Sequence, residues 1–336
     1  MDKLQRAVEL DSYSVPAEVA AENVVSLTSS PAVARCIPVD ERLLPSFFVI
    51  GPPRTGSSWL HHVLKPHTIL PSPAKETRFF DNHFQRGLKW YAAHYQKTNN
   101  ERRIGEVAPT YFASAVARER MAQIVPDAKI ICVFRNPVER IVSLYRLKRA
   151  YGLIPWGFEE AMERDAELIE TSKYVSHLKL WQRSFGSGNV LAGVYDDLRE
   201  NPQTFVDSLV DFIGVPRFPL AASENLAVHD SESMTHPRSY YRTRSATLAA
   251  DWFKSRSLGR LVSAFKRSLL RNLVLGGGEP FSQLPEEVVK RLYEKFRSEV
   301  EELEALLRRD LSAWKVQKPP QIPATEIEPL AGEAGN

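Results

Sequence analysis

The chain is poor in cysteine. Cys36 and Cys132 are the only two among 336 residues, which excludes a disulfide framework and any Cys-x-x-Cys metal site. Cys132 stands in an apolar run and reads as a core residue. Long hydrophobic runs are also missing: no window approaches the roughly 20 apolar residues that cross a bilayer. The opening residues, Met1-Asp2-Lys3-Leu4-Gln5-Arg6, lack the apolar stretch of a signal peptide. Together these absences lead to the expectation of a cytoplasmic protein with no membrane partner. A large excess of one sign of charge is missing as well. A net +3 suits an anionic substrate but is too weak to argue for nucleic acid. No internal repeat is visible. What is present, 43% hydrophobic and 25% charged residues, suffices for a large globular core.

One further absence falls at a telling place. Phe47-Phe48-Val49-Ile50 reads as a short apolar strand, followed by Gly51-Pro52-Pro53-Arg54-Thr55-Gly56-Ser57-Ser58-Trp59-Leu60, a glycine-bounded turn and a helix start. Free N–H groups and the helix dipole make such a turn an anion site. Gly51 and Gly56 have the separation of the nucleotide-triphosphate loop G-x-x-x-x-G-K-[ST], but Ser57 stands where that loop needs its lysine. A 5′-phosphate therefore suits this loop better than a triphosphate with Mg²⁺. An ordinary strand–turn–helix with incidental glycines is the plain alternative.

The remaining chain alternates strands and helices. Residues 1–45 form an N-terminal extension, with a short helix around Lys3–Leu10. A helix after Ser57 ends before Pro66. Leu88–Tyr95 reads as an aromatic-rich helix, Ile104–Tyr111 as a strand end and turn, and Ala113–Ile124 as a helix. Ala128–Phe134 has the composition of a strand buried on both faces of a parallel sheet. A helix starts at Pro137, where proline suits the first position. Tyr174–Phe185 is helical, Asn189–Tyr195 a strand, and Pro202–Ile213 a helix closed by Gly214. Residues 217–245 read as loop, Gly276-Gly277-Gly278 as a flexible break, and Leu284–Leu311 as an amphipathic helix. The tail 317–336 has the composition of a disordered segment. The pattern implies an α/β fold, a single domain with a central parallel sheet flanked by helices. Its domain would span 46–316, with a ligand-binding core over 46–215 and a variable region over 216–316.

Two further clusters carry chemistry. Lys75-Glu76-Thr77-Arg78-Phe79-Phe80-Asp81 sets a carboxylate among cations and rings, which suits a general base or a salt-bridged surface loop. Arg135 ends the central apolar strand where a triphosphatase would want an acidic Mg²⁺ ligand, and Ser143 lies nearly two helical turns on. Arginine there fits a phosphate monoester or a structural ion pair. Trp90, Tyr91, Tyr95, Tyr111 and Trp156 are candidates for the wall of an acceptor site or for the core. The basic-aromatic run Pro237–Arg244 suits an anion clamp or a solvated face.

With these residues in place, the chain resembles sulfotransferases that use 3′-phosphoadenosine-5′-phosphosulfate (PAPS), closest in style to the heparan-sulfate branch and its soluble bacterial relatives. The resemblance covers roughly 46–215, with a weaker echo over Leu303–Trp314. Pro53-Arg54-Thr55-Gly56-Ser57-Ser58 resembles the 5′-phosphosulfate loop, with Arg54 where the family usually has lysine. Lys75-Glu76-x-x-Phe79-Phe80-Asp81 resembles the segment with the catalytic glutamate. Arg135-Asn136-Pro137-Val138-Glu139-Arg140 with Ser143 and Tyr145 resembles the 3′-phosphate motif, and Leu198-Arg199-x-Asn201-Pro202 a later landmark. The membrane anchor and C-terminal disulfide of the Golgi members are not matched.

The resemblance implies a P-loop-like three-layer fold and in-line sulfuryl transfer from PAPS, with 3′,5′-diphosphoadenosine (PAP) as product and no metal. It implies Glu76 as base, Arg54 and Lys75 as catalytic cations, and donor contacts from Arg54, Thr55, Gly56, Ser57, Ser58, Trp59, Arg135 and Ser143. The acceptor would be a small molecule or a carbohydrate, offering a hydroxyl or an amine. The oligomeric state is left open. The competing readings are a P-loop nucleotide kinase and a non-catalytic nucleotide- or glycan-binding module.

Overall fold

Every strand of the main sheet runs in the same direction. A computed structural model describes residues 43–95, 102–221, 235–255 and 277–316. The sheet comprises β1 (Phe47–Val49), β2 (Gly105–Val107), β3 (Lys129–Phe134) and β4 (Val190–Val194), in the order β2-β1-β3-β4 with all pairs parallel. Phe47 pairs with both Gly105 and Lys129, and Phe134 with Val194. The chain leaves β1 toward β2 on one side and builds β4 on the other, so β1 and β3 flank the switch point. In open parallel sheets, ligands bind beyond the carboxyl ends of the strands at such a point. Here those ends lead into Gly51 and Arg135.

The helices cover both faces, as the near-continuous burial of β1 and β3 requires. On one face Phe47, Val49, Ile131 and Val133 pack with α1 (Ser57–Leu64) through Trp59, Leu60 and Val63. The same cluster includes Val206, Leu209, Val210 and Ile213, which come from α9 (Pro202–Ile213). On the other face Phe48 meets Phe80 with ring centroids 5.9 Å apart, and Phe134 meets Tyr174 at 4.9 Å. Tyr174 begins α7 (Tyr174–Phe185).

Between these lie α2 (Gly87–Ala92), α3 (Ala115–Ile124), α4 (Pro137–Ala150), α5 (Phe158–Arg164), α6 (Ala166–Glu170) and α8 (Tyr195–Glu200). Helix α4 starts as its sequence dictates. Pro137 takes the first position, and Asn136 Oδ1 accepts the free N–H groups of Val138 and Glu139 at 3.0 and 3.4 Å. Ser114 caps α3 in the same way, accepting from Ala117 N at 3.1 Å.

Several elements differ from the sequence reading. The helix expected over Leu88–Tyr95 is the shorter α2, because Ala93–Tyr95 turn out of it with Tyr95 N bonded to Ala92 O. Residues 217–245 are not loop throughout, and Gly277 and Gly278 are not merely a break, while Gly276 lies outside the described residues. β5 (Thr235–Pro237) pairs antiparallel with β6 (Gly277–Pro280), since glycine lets the two backbones lie close. The basic-aromatic run therefore leaves β5 and enters α10 (Tyr240–Ser255). The short helices α5 and α6 were not anticipated. The expected helix near Lys3–Leu10, the rest of the extension and the tail beyond 316 lie outside the described residues.

By compactness the chain divides into two units, Met1–Gln283 and Leu284–Asn336. The second holds α11 (Glu286–Leu307), with Val288, Leu292, Phe296, Val300 and Leu303 buried along one stripe. Within this unit Lys315 pairs with Glu304.

Candidate active site

The anion loop is held in a tight shape. Gly51 presses on β3 so closely that a Cβ there would stand 2.6 Å from Val133 N. The Thr55 hydroxyl donates to Pro52 O at 2.8 Å and closes the turn from inside, so it is spent on the loop itself. Arg54 and Gly56 both take left-handed backbone, at φ 76° and 90°. For Gly56 this is easy; for Arg54 it is a strained conformation that the loop imposes. Ser57 and Ser58 open α1, both partly exposed.

The second segment faces this loop. Arg54 Nε donates to Ser143 Oγ at 2.8 Å, and Ser143 is 2% exposed on α4. Arg135 Nε and Nη2 reach Glu139 Oε2 at 3.2 and 3.1 Å, and its guanidinium lies 5.0 Å from the Tyr195 ring centroid. Tyr174 OH donates to Arg135 O at 2.9 Å. Of the two sequence alternatives for Arg135, the structure shows the ion pair, made with Glu139 at the end of β3.

The third segment brings in the carboxylate. Lys75 Nζ donates to Ser58 Oγ at 3.0 Å and lies 3.6 Å from Glu76 Oε1. Burial holds the Glu76 carboxyl above its ordinary range, against the opposing pull of Lys75 and Arg78. After Arg78, at φ 51°, the chain turns through a single π-helical turn, Phe79–His83, with both phenylalanines buried. Arg120 Nη1 donates to Phe80 O at 2.8 Å and to Asp81 O at 3.3 Å, anchoring that turn to α3. His61, one turn into α1, is pushed down to about 4 by burial and then by Lys75, so it is neutral near pH 7.

The structure therefore brings together Arg54, Ser57, Ser58, Lys75, Glu76, Arg135 and Ser143. It does not bring the side chain of Trp59, which is 2% exposed in the core. Tyr91, Tyr95 and Tyr111 are also core residues, whereas Trp90 and Trp156 stay partly exposed.

Two charged residues were missed. Arg140, fully buried, donates to Pro53 O at 3.4 Å, to Leu168 O at 3.0 Å and to Ser172 Oγ, tying the loop to the end of α6. Its position in the Arg135–Arg140 motif was the available signal. Glu106, also fully buried, sits in β2 and accepts from Thr77 N, Thr77 Oγ and Tyr91 OH, each at 2.7 Å. Burial, opposed by those hydrogen bonds, pushes its carboxyl up to about 7. Among the described residues no helix is long and apolar enough to cross a membrane.

The chain is 29% identical over 198 residues to the human bifunctional heparan sulfate N-deacetylase/N-sulfotransferase 2, a match covering 52% of this chain and 22% of that protein. It is 27% identical over 213 residues to the mouse heparan sulfate glucosamine 3-O-sulfotransferase 3A1, covering 61% and 54%. The chain thus spans about a fifth of the first relative and about half of the second. Among solved structures, a sulfotransferase from Alicyclobacillus acidocaldarius superposes with a TM-score of 0.57 at 21% identity, over 81% of this chain and 99% of that one, which shows a common fold. The sulfotransferase domain family model matches residues 44–251, more than half the chain, and the protein belongs to that family.

Proposed function

We propose that the chain moves a sulfuryl group from PAPS to a hydroxyl or amine of a carbohydrate or small-molecule acceptor, releasing PAP. Lys75 carries the reading. Its ammonium lies 3.0 Å from Ser58 in the anion loop and 3.6 Å from Glu76, so a carboxylate stands one side chain away from the phosphate-binding turn. The residues fit the donor: Arg54 and two serine hydroxyls suit its phosphosulfate, and Arg135 with Ser143 suits a separate 3′-phosphate. Bound there, the donor supplies an electrophilic sulfur and a phosphate leaving group.

Glu76 takes the acceptor proton as the new O–S or N–S bond forms; its raised proton affinity suits that role near neutrality. Arg54 stabilises the charge gathering on the departing 5′-phosphate, through electrostatics alone because guanidinium is a poor proton donor. Lys75 holds Glu76 against the loop. Thr55 shapes the turn and Trp59 contributes only backbone. The names of the two relatives, for N- and 3-O-sulfation, keep both acceptor types within the reading. A donor core over 46–215, an acceptor region over 216–316 and a cytoplasmic location belong to the same proposal.

Calorimetric titration with PAP and with AMP, each with and without Mg²⁺, tests it. Tight, metal-independent PAP binding with a large loss for AMP is expected and justifies an acceptor screen with radiolabelled PAPS. Equal binding of the two nucleotides, or none, overturns the donor assignment.

A further inference from the structure

We propose that Glu106 is the positioning residue for Glu76, acting through Thr77; the proposal rests on the reading of Glu76 as the base. Glu106 is 0% exposed, and its partners are all neutral donors. Burying an ionisable carboxylate without a cation is costly, and packing β2 against β1 needs only its backbone and an apolar side chain. The use of the carboxylate is visible in two of its three 2.7 Å bonds, which both go to one residue. Oε1 accepts both the backbone N–H and the hydroxyl of Thr77, each at 2.7 Å.

That N–H belongs to the peptide joining Glu76 to Thr77. Fixing its direction fixes the plane of the peptide, and with it the Cα from which the Glu76 side chain starts. The hold continues along the segment. Thr77 Oγ accepts from Phe79 N at 3.1 Å, and Tyr111 OH accepts from Phe80 N at 3.4 Å while lying 3.5 Å from Glu106 Oε2. Residues 77–80, which turn through left-handed Arg78, are thus tied from beneath to a single buried carboxylate and its tyrosines. Only side-chain torsions are left to Glu76, and Lys75 at 3.6 Å limits those. The charged and titratable groups around this pair are Lys75, Arg78 and Asp81 on the Glu76 side and Tyr91, Tyr95 and Tyr111 on the Glu106 side.

The test follows the Glu76 carboxyl by carbon NMR of glutamate-labelled protein, its signal assigned by its loss in Glu76→Gln. PAP titration and thermal unfolding are run in parallel. Thr77→Val removes the hydroxyl bond without altering any charge. It is expected to lower the Glu76 midpoint by about half a pH unit or more, as a loosened side chain reaches water. Glu106→Leu, which removes the acceptor of both Thr77 bonds, is expected to lower it too, whereas Thr77→Ser restores the wild-type value. Tyr95→Phe loosens the cluster but spares both Thr77 bonds, and is expected to leave the midpoint in place. PAP affinity stays within twofold throughout. A Glu76 midpoint unmoved in both Thr77→Val and Glu106→Leu overturns the proposal. So does an equal shift in Tyr95→Phe, which would make the effect one of general loosening. Should Glu106→Leu not fold, Thr77→Val with its serine rescue decides alone. Failure of wild-type PAP binding would sink the donor reading while leaving this coupling measurable.

Discussion

Arg54 Nε donates to Ser143 Oγ across 2.8 Å, joining the loop after β1 to the second turn of α4. One hydrogen bond thus connects the proposed 5′-phosphate and 3′-phosphate sites. It also helps hold Arg54 in left-handed backbone, where arginine would not otherwise rest. Bonded partners in one network do not act independently. Arg54→Ala and Ser143→Ala should each weaken PAP binding, Arg54→Ala by about 10- to 100-fold, the range for a lost hydrogen bond to a charged group. The double variant should lose less than the product of the two. Calorimetry on the four proteins checks this, and strictly additive losses would show that the two sites are read separately.

Arg135, the proposed 3′-phosphate residue, already holds Glu139 at 3.1 Å. Arg135→Ala should cut the preference for PAP over AMP by about tenfold or more, because the charge that would meet the 3′-phosphate is gone. Glu139→Gln should act in the opposite sense. It leaves the guanidinium in place and removes a carboxylate that competes with the phosphate, so PAP should bind more tightly. Equal losses for PAP and AMP in Arg135→Ala would refute the 3′-phosphate assignment.

The loop after β1 and the end of β3 were legible in the sequence because their signals are local. An apolar run ending in Arg135-Asn136-Pro137 names a strand end and a helix start together. Gly51 and Gly56 bracket a turn whose close approach to β3 no other residue would allow. The ground beneath the Glu76 segment was less legible because its organising bonds are long-range. Tyr91, Tyr95 and Tyr111 read as core rings or a sugar-binding wall, and nothing in their spacing says that all three hydroxyls turn toward one buried carboxylate. Glu106 looked like an ordinary residue at a strand end. β5 and β6 pair across about 40 residues, and helices as short as α6 carry too few positions for a period to show.

Glu76→Gln should abolish most turnover, by about 10²- to 10⁴-fold for a lost general base, while PAP affinity holds. The acid limb of the wild-type pH profile should lie above the ordinary glutamate range, because burial raises the proton affinity of Glu76 and the base must be ionised to act. Radiolabel transfer to the acceptor found by screening checks both points. Undiminished turnover in Glu76→Gln would remove it from the base role.

Glu106 gives a stability prediction whose sign is unusual for a carboxylate. Its proton affinity in the folded chain is raised from 4.5 to about 7 by burial. Between those pH values the folded state binds more protons than the unfolded one, so stability falls as pH rises through the interval. Burying the ionised form costs on the order of 3 kcal/mol above pH 7, a cost that disappears as pH drops toward 4.5. Over this window the contribution of Glu106 therefore makes the wild-type protein more stable toward the acidic end. Glu106→Gln mimics the protonated form at every pH and keeps one oxygen for the two Thr77 bonds, while its amide requires the Tyr91 hydroxyl to turn and accept. The variant should unfold at a temperature that depends less on pH over the interval, and it should gain on the wild type as pH rises past 7. Thermal unfolding of both proteins across this range provides the measurement, and parallel pH profiles would mean that Glu106 is ionised in the folded chain at an ordinary glutamate value.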